Sequence, residues 1–300
     1  MAKSQGLARL GGAEGRSGLL LISPTLLYAL LLLAAPLGTV LLFSIFTDGR
    51  TPTGAKTVLA IPTLQNYVEV WTNQIYQRLM MRSLSVSLSV TLVTVALAYP
   101  VAYFVSFHVA PSKKSLWLFL ITIPFWTSYL IRVFLWKVIL GYNGVINSGL
   151  MSLGIISEPI TAINYNVQAM VMTLAHAYAP FAILPIFVAL EKIDRSLLEA
   201  GQDLGESRFM TFVRVTLPLS MPGVIAAVLI VFIPTVGDYV TPDLIGGGKL
   251  PMIANVIELQ MLKQNNKALG SAVAVSAMLI VALVTLVFLL LNRRFLKGGK

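Results

Sequence analysis

The chain has 300 residues, 57% of them hydrophobic and 11% charged, with a formal net charge of +10. Soluble domains carry about 25% charged residues, so this composition cannot supply a water-facing surface and reads as an all-α polytopic membrane protein. With no cysteine and only His108 and His176, neither disulfides nor a thiolate or histidine metal centre is expected. The basic residues cluster at the ends of apolar runs rather than among aromatics, which argues against nucleic acid as a partner.

Six apolar runs are long enough to cross a hydrocarbon core, which takes about 20 helical residues. They lie near 19–46, 83–107, 116–139, 167–190, 222–244 and 269–291. The first follows Lys3, Arg9 and Arg16 but is far longer than the roughly 7–15 apolar residues of a signal core. Ala34-Ala35-Pro36 is also a poor cleavage site, so this run is expected to remain as a helix. Between the first two runs, Tyr67, Trp71 and Tyr76 recur at near-helical spacing in 64–82. That spacing predicts a helix in the membrane interface with its rings at headgroup level. In the fourth run, His176 lies near Pro180 and is expected to make a helix-packing hydrogen bond.

Lysine and arginine set the orientation. Thirteen fall on the side shared by the two termini, the 108–115 loop and the stretch after run four, against seven on the opposite side. The positive-inside rule then makes the N-tail (1–18), the loop at about 191–221 and the C-tail (292–300) cytoplasmic.

That 191–221 loop holds "EAGQDLGESRFMTFVRVTLPLSMPG" from Glu199 to Gly223. Ser196 and Glu199 have capping-box spacing, predicting a helix over about 197–204. Gly205 supplies a break. Ser207 would cap a second short helix carrying Phe209, Phe212 and Val213, Pro218 would end it, and Pro222 would open span five. A connection of about 4–6 residues would suffice to join two helices, so the surplus reads as a docking element.

Glu199, Ala200, Gly205, Val215, Leu217 and Pro218 fall in the register E-A-A, three residues, G, nine residues, I-x-L-P. This loop resembles the coupling loop of permease subunits of bacterial ABC importers of type I. Gly201 replaces the second alanine and Val215 the isoleucine. "PFWTSYLIRVFLWKVIL" at 124–140, "GYNGVIN" at 141–147 and "GDYVTPDLIGGG" at 237–248 extend the resemblance to the first permease of spermidine/putrescine importers. The resemblance implies a single permease domain in the bacterial inner membrane, paired with a homologous second permease, an ABC ATPase dimer and a periplasmic solute-binding protein. It implies no catalytic residue and no cofactor on this chain, with ATP and magnesium on the partner ATPase. Glu199, Ala200, Gly201, Gly205, Val215, Leu217 and Pro218 would dock that ATPase.

For the pathway, span five is read as containing Pro234, Gly237 and Asp238 within an apolar helix, where weakened backbone lines protein or water. An acid inside a membrane segment faces a cavity or a partner. Asp238 and Tyr239 are therefore expected to meet a cationic amine, with cation–π help from Trp126 and Tyr129. The alternatives are that Asp238 meets water at the outer interface or pairs with Arg132, and that the two aromatics pack at the permease interface. Gly246-Gly247-Gly248-Lys249 lacks the spacing of a phosphate loop and reads as a turn. Alternative functions are import of another small solute, such as an opine or an amino-acid derivative, or an ATPase-independent secondary transporter.

Overall fold

The computed structural model describes residues 13–50, 56–163 and 165–297. Lys3, Arg9 and Lys300 of the topology count lie outside them. Helix α1 (Ala13–Ser44) leads into a hairpin of β1 (Phe46–Arg50) and β2 (Lys56–Pro62), paired antiparallel. Helices α2 (Gln65–Thr72) and α3 (Gln74–Phe107) follow, then α4 (Pro111–Thr122), a 3-10 turn (Ile123–Trp126), α5 (Tyr129–Leu140) and α6 (Val145–Ser152). Next come α7 (Val167–Glu191), α8 (Arg195–Asp203), α9 (Arg208–Thr211), a π turn (Phe212–Thr216) and α10 (Leu217–Val236). The chain closes with α11 (Val240–Leu244), α12 (Ile253–Glu258), α13 (Lys267–Leu291) and α14 (Arg293–Lys297).

Six helical stretches among the described residues are long and apolar enough to cross a membrane: Leu20–Ser44, Gln74–Phe107, Tyr129–Ser152, Val167–Glu191, Arg208–Val236 and Lys267–Leu291. The expected third span, 116–139, is not one helix. Pro124 lacks the amide donor a helix needs, so the chain tightens into the 3-10 turn and then extends at Thr127 before α5 begins. The α5–α6 joint turns at Gly141–Gly144, where a side chain on Gly144 would collide with the carbonyls of Val138 and Ile139. Buried Asn147 ties the turn down, donating to the carbonyls of Gly141, Tyr142 and Ile160 and accepting from the Ile160 amide at 2.9 Å.

The interface helix expected over 64–82 is also corrected. Only α2 is separate, because Asn73 caps a new helix through the Ile75 amide and residues from Gln74 onward belong to the second span. Trp71 is exposed, as a belt residue would be, while Tyr76 is buried and the Tyr67 hydroxyl bonds Ser44 Oγ at 2.7 Å.

The core lies where α3, α7 and α10 meet. Gly223 of α10 sits directly against the Pro185 carbonyl and the Ala189 side chain of α7, an approach no larger residue would permit. His176 on α7 accepts a hydrogen bond from Trp136 on α5 at 3.1 Å, a helix-packing contact. On the other side of the fold, α13 packs against α1, and Asp48 of the hairpin caps the α13 N-terminus by accepting from the Ala268 and Leu269 amides.

Candidate functional site

The stretch between α7 and α10 folds into a protruding knuckle. Its first helix starts earlier than the sequence implied. Asp194 rather than Ser196 is the N-cap, its Oδ1 accepting the Ser196 amide at 3.0 Å. The bond favours the charged form and holds the Asp194 carboxyl below the ordinary aspartate value. Glu199 therefore takes no part in a capping box; it is exposed and makes no ion pair among the described residues.

Gly205 has φ +86°, a left-handed conformation that glycine adopts without steric cost, and it reverses the chain as expected. Ser207 caps α9 through the Met210 amide at 3.3 Å. Pro218 does not end the second helix. The chain widens into the π turn, whose Leu217 amide bonds the Phe212 carbonyl, and runs on into α10 with Pro218 in its first turn. Pro222 consequently lies inside α10 and does not open it. Proline is tolerated in a first turn because the missing donor has no partner to lose there. Single π turns inside α-helices frequently mark functional positions.

The knuckle is rooted in the membrane helices. Phe212 packs edge-on against Tyr99 and Tyr103 of α3, and the Tyr99 hydroxyl lies 2.8 Å from Ser220 Oγ. Glu191 at the end of α7 accepts from Lys114 and Ser106, each at 2.6 Å. Arg214 pairs with Glu206 at 2.8 Å and closes the knuckle on itself. Its tip is apolar and open: Leu204 is 86% and Phe209 72% exposed. Of the predicted docking residues, Glu199, Ala200 and Gly205 face outward, while Gly201, Val215, Leu217 and Pro218 are half-buried nearer the base. A methyl group on Gly201 would meet Thr211 at ordinary contact distance, 3.4 Å, so glycine and alanine both fit here.

The second predicted site is rearranged. α10 ends at Val236, Gly237 caps it, and Asp238 lies beyond the span rather than within its helix. Asp238 is only 7% exposed. Its Oδ1 accepts from the Val240 and Thr241 amides at 3.1 and 3.4 Å, capping α11, while buried Oδ2 has no hydrogen-bond partner among the described residues. The water-facing alternative therefore fails. Nor does Asp238 pair with Arg132: no ion pair joins them among the described residues, and Arg132 donates to the Ala177 carbonyl at 3.0 Å and stands 5.9 Å over Phe125, with its buried Nε unpartnered.

Tyr129 reaches the same place, its hydroxyl 2.8 Å from the hydroxyl of Thr241. Tyr178, which sequence reasoning missed, lies 6.3 Å from Tyr129 ring to ring and leads on to Phe181 and Phe125. Its place on a uniformly apolar helix gave no signal. Tyr239 is half-exposed, and its carbonyl is held by Asn255 at 2.9 Å. Trp126 is 73% exposed and packs on Phe119; no hydrogen bond or ring contact ties it to Asp238 among the described residues. The Gly246–Lys249 segment is a turn with positive φ at Gly247 and Gly248.

Six membrane-length helices and a capped knuckle between the fourth and fifth define a transport permease. The chain belongs to the family described as binding-protein-dependent transport system inner membrane component, which it matches over residues 19–297. It is 40% identical over 236 residues to the spermidine/putrescine transport system permease protein PotB of Haemophilus influenzae, covering 77% of this chain and 82% of the relative. It is 36% identical over 248 residues to PotB of Escherichia coli, covering 82% and 89%. Its fold matches a chain of a bacterial ABC transporter involved in import of the acidic polysaccharide alginate, with TM-score 0.71 and 17% identity over 97% of this chain and 100% of the other.

Proposed function

We propose that this chain is the non-catalytic membrane permease subunit of an ATP-driven importer for spermidine- or putrescine-like cations. One observation carries the ATP-driven part of this reading. The knuckle leaves Glu199, Leu204 and Phe209 uncovered while anchoring its own base to α3, the form required of a rigid element seated in another subunit. The polyamine assignment is supported by the permeases of that transport system that this chain resembles over most of its length.

In this reading the single permease domain pairs with a homologous second permease and receives solute from a periplasmic binding protein. An ABC ATPase dimer, which carries the ATP and magnesium, docks at Glu199, Ala200, Gly201, Gly205, Val215, Leu217 and Pro218. Both termini face the cytoplasm of a bacterial inner membrane. On the pathway, Asp238 offers its unpaired Oδ2 to a cationic amine, with Tyr129 and Tyr239 beside it. Trp126 stands on exposed surface, in keeping with a place toward the second permease.

Uptake of labelled spermidine by cells carrying the complete set of subunits, with and without this chain, tests the reading. Loss of uptake on removing the chain is expected. Unchanged uptake of spermidine and putrescine, with loss of another solute, would redirect the cargo assignment.

A further inference from the structure

A groove of about 820 Å³ runs from the root of the knuckle up between α7 and α10. Its origin is the tight contact of Gly223 with the Pro185 carbonyl, which pins the two helices together at one level. Around that contact, Val188, Leu219, Pro222 and Ala226 line the walls, and Val188 and Leu219 are among the exposed apolar side chains. Lys192, one residue past the end of α7, and Arg294 on α14 stand at the mouth. Asn292 breaks α13 just before Arg294, its side chain bonding the Phe288 carbonyl at 2.9 Å, and so turns α14 back over the groove.

Neither cation is paired with an acid: no ion pair to Lys192 or Arg294 occurs among the described residues, although Arg294 rests on the ring of Phe295 at 4.6 Å. One acid, Asp194, also lines the groove; its Oδ1 is committed to the α8 cap and its carboxyl stays charged, so the two cations outnumber it. An apolar slot between two membrane-length helices, with two cations at its rim, has the chemistry of an acyl chain below a phosphate. Basic pockets between membrane helices on the cytoplasmic side hold anionic headgroups in this way.

We infer that this groove is a binding site for an anionic phospholipid of the cytoplasmic leaflet, with its phosphate between Lys192 and Arg294 and an acyl chain against Val188, Pro222 and Ala226. The site lies at the root of the knuckle, so its occupant touches the element through which the proposed ATPase acts. The assignment rests on the cytoplasmic placement of the knuckle given above.

The test is native mass spectrometry of the purified importer complex after extensive detergent washing, with phosphatidylglycerol as the probe lipid. Wild type is expected to retain phosphatidylglycerol in preference to phosphatidylcholine. A Lys or Arg near the membrane surface contributes roughly fivefold to binding anionic lipid, so Lys192→Gln/Arg294→Gln is expected to lower retention about 25-fold. Lys113→Gln/Lys249→Gln, with the same change in net charge away from the groove, is expected to leave retention intact. Val188→Trp fills the slot and keeps both cations, and it too is expected to lose the lipid. The inference is overturned if either groove variant retains lipid like wild type, if both charge variants lose it equally, or if Val188→Cys cross-links to the second permease while no lipid is held. Lipid retention is read without transport, so failure of the importer reading in an uptake assay is a separate result.

Discussion

Arg195, the first residue of α8, donates from its guanidinium to the backbone carbonyl of Ser106 in α3 at 3.2 Å. Ser106 in turn donates its hydroxyl to Glu191 at 2.6 Å, so the end of α7, the foot of α3 and the start of the knuckle form one connected unit. Force applied at the knuckle tip therefore has a polar route into two membrane helices. Arg195→Ala removes a part-buried charge-assisted bond, worth about 1.5 kcal/mol, and the stacking of its guanidinium 5.9 Å over Phe107. A roughly tenfold fall in uptake is expected, with ATPase co-purification retained. Loss of co-purification instead would assign Arg195 to docking.

Glu199 makes no ion pair among the described residues, so reversing its charge costs the chain itself little. Against a docking partner that meets Glu199 with a basic residue, reversal places like charges at an interface, which costs several kcal/mol. Glu199→Arg is expected to weaken ATPase association at least 30-fold, read by co-purification, with unchanged thermal stability of the permease alone.

Asp238 separates charge from structure. Asp238→Asn keeps an oxygen acceptor for the Val240 and Thr241 amides while deleting the charge, so assembly should survive and uptake of a cation should fall by tenfold or more. Asp238→Ala deletes the cap as well, and loss of a cap costs about 1 kcal/mol; it should also lower the thermal midpoint. Equal destabilisation by both variants would make the acid purely structural.

Gly223→Val forces α7 and α10 apart at Pro185, and overpacking of this kind costs about 1–3 kcal/mol. A lower melting temperature of the purified permease pair is expected, whereas Gly201→Ala, with its 3.4 Å clearance from Thr211, should be neutral in the same assay.

The Asp194 cap carries a pH signature. Its carboxyl titrates below the ordinary value of 3.8 in the folded protein because the Ser196 amide bonds the charged form. The cap's contribution is thus fully present above 3.8 and fades as the pH falls through the lower folded value. Hydrogen-exchange protection over 195–203, taken relative to the intrinsic rate at each pH, is expected to fall in acid for wild type and to be low already at neutral pH in Asp194→Ala.

The sequence revealed most where one physical rule acted alone. Spans four and six were expected at 167–190 and 269–291 and occur at Val167–Glu191 and Lys267–Leu291, because continuous apolarity leaves little else to form, even with Pro180 and Pro185 inside α7. Gly205 and Ser207 were legible because a positive φ and an N-cap each require a particular residue type. The misses lie where two signals competed. Asp194 and Ser196 could both cap α8, and the earlier residue won. Pro218 reads as a terminator, yet it falls in the first turn of α10 directly after the π turn, and the helix runs on. Asp238 was placed inside a helix because apolarity continues past Val236, while Gly237 ends that helix one residue earlier. The meeting of Tyr129, Thr241 and Tyr178 depends on tertiary packing across three elements, which no local pattern encodes.

The most direct test of an ATP-coupled cation permease is accumulation of labelled spermidine in proteoliposomes holding the complete importer, with binding protein supplied and ATP present or absent. Accumulation is predicted only with ATP, and Glu199→Arg is predicted to abolish it. Accumulation without ATP, or at the wild-type rate in Glu199→Arg, would contradict the account.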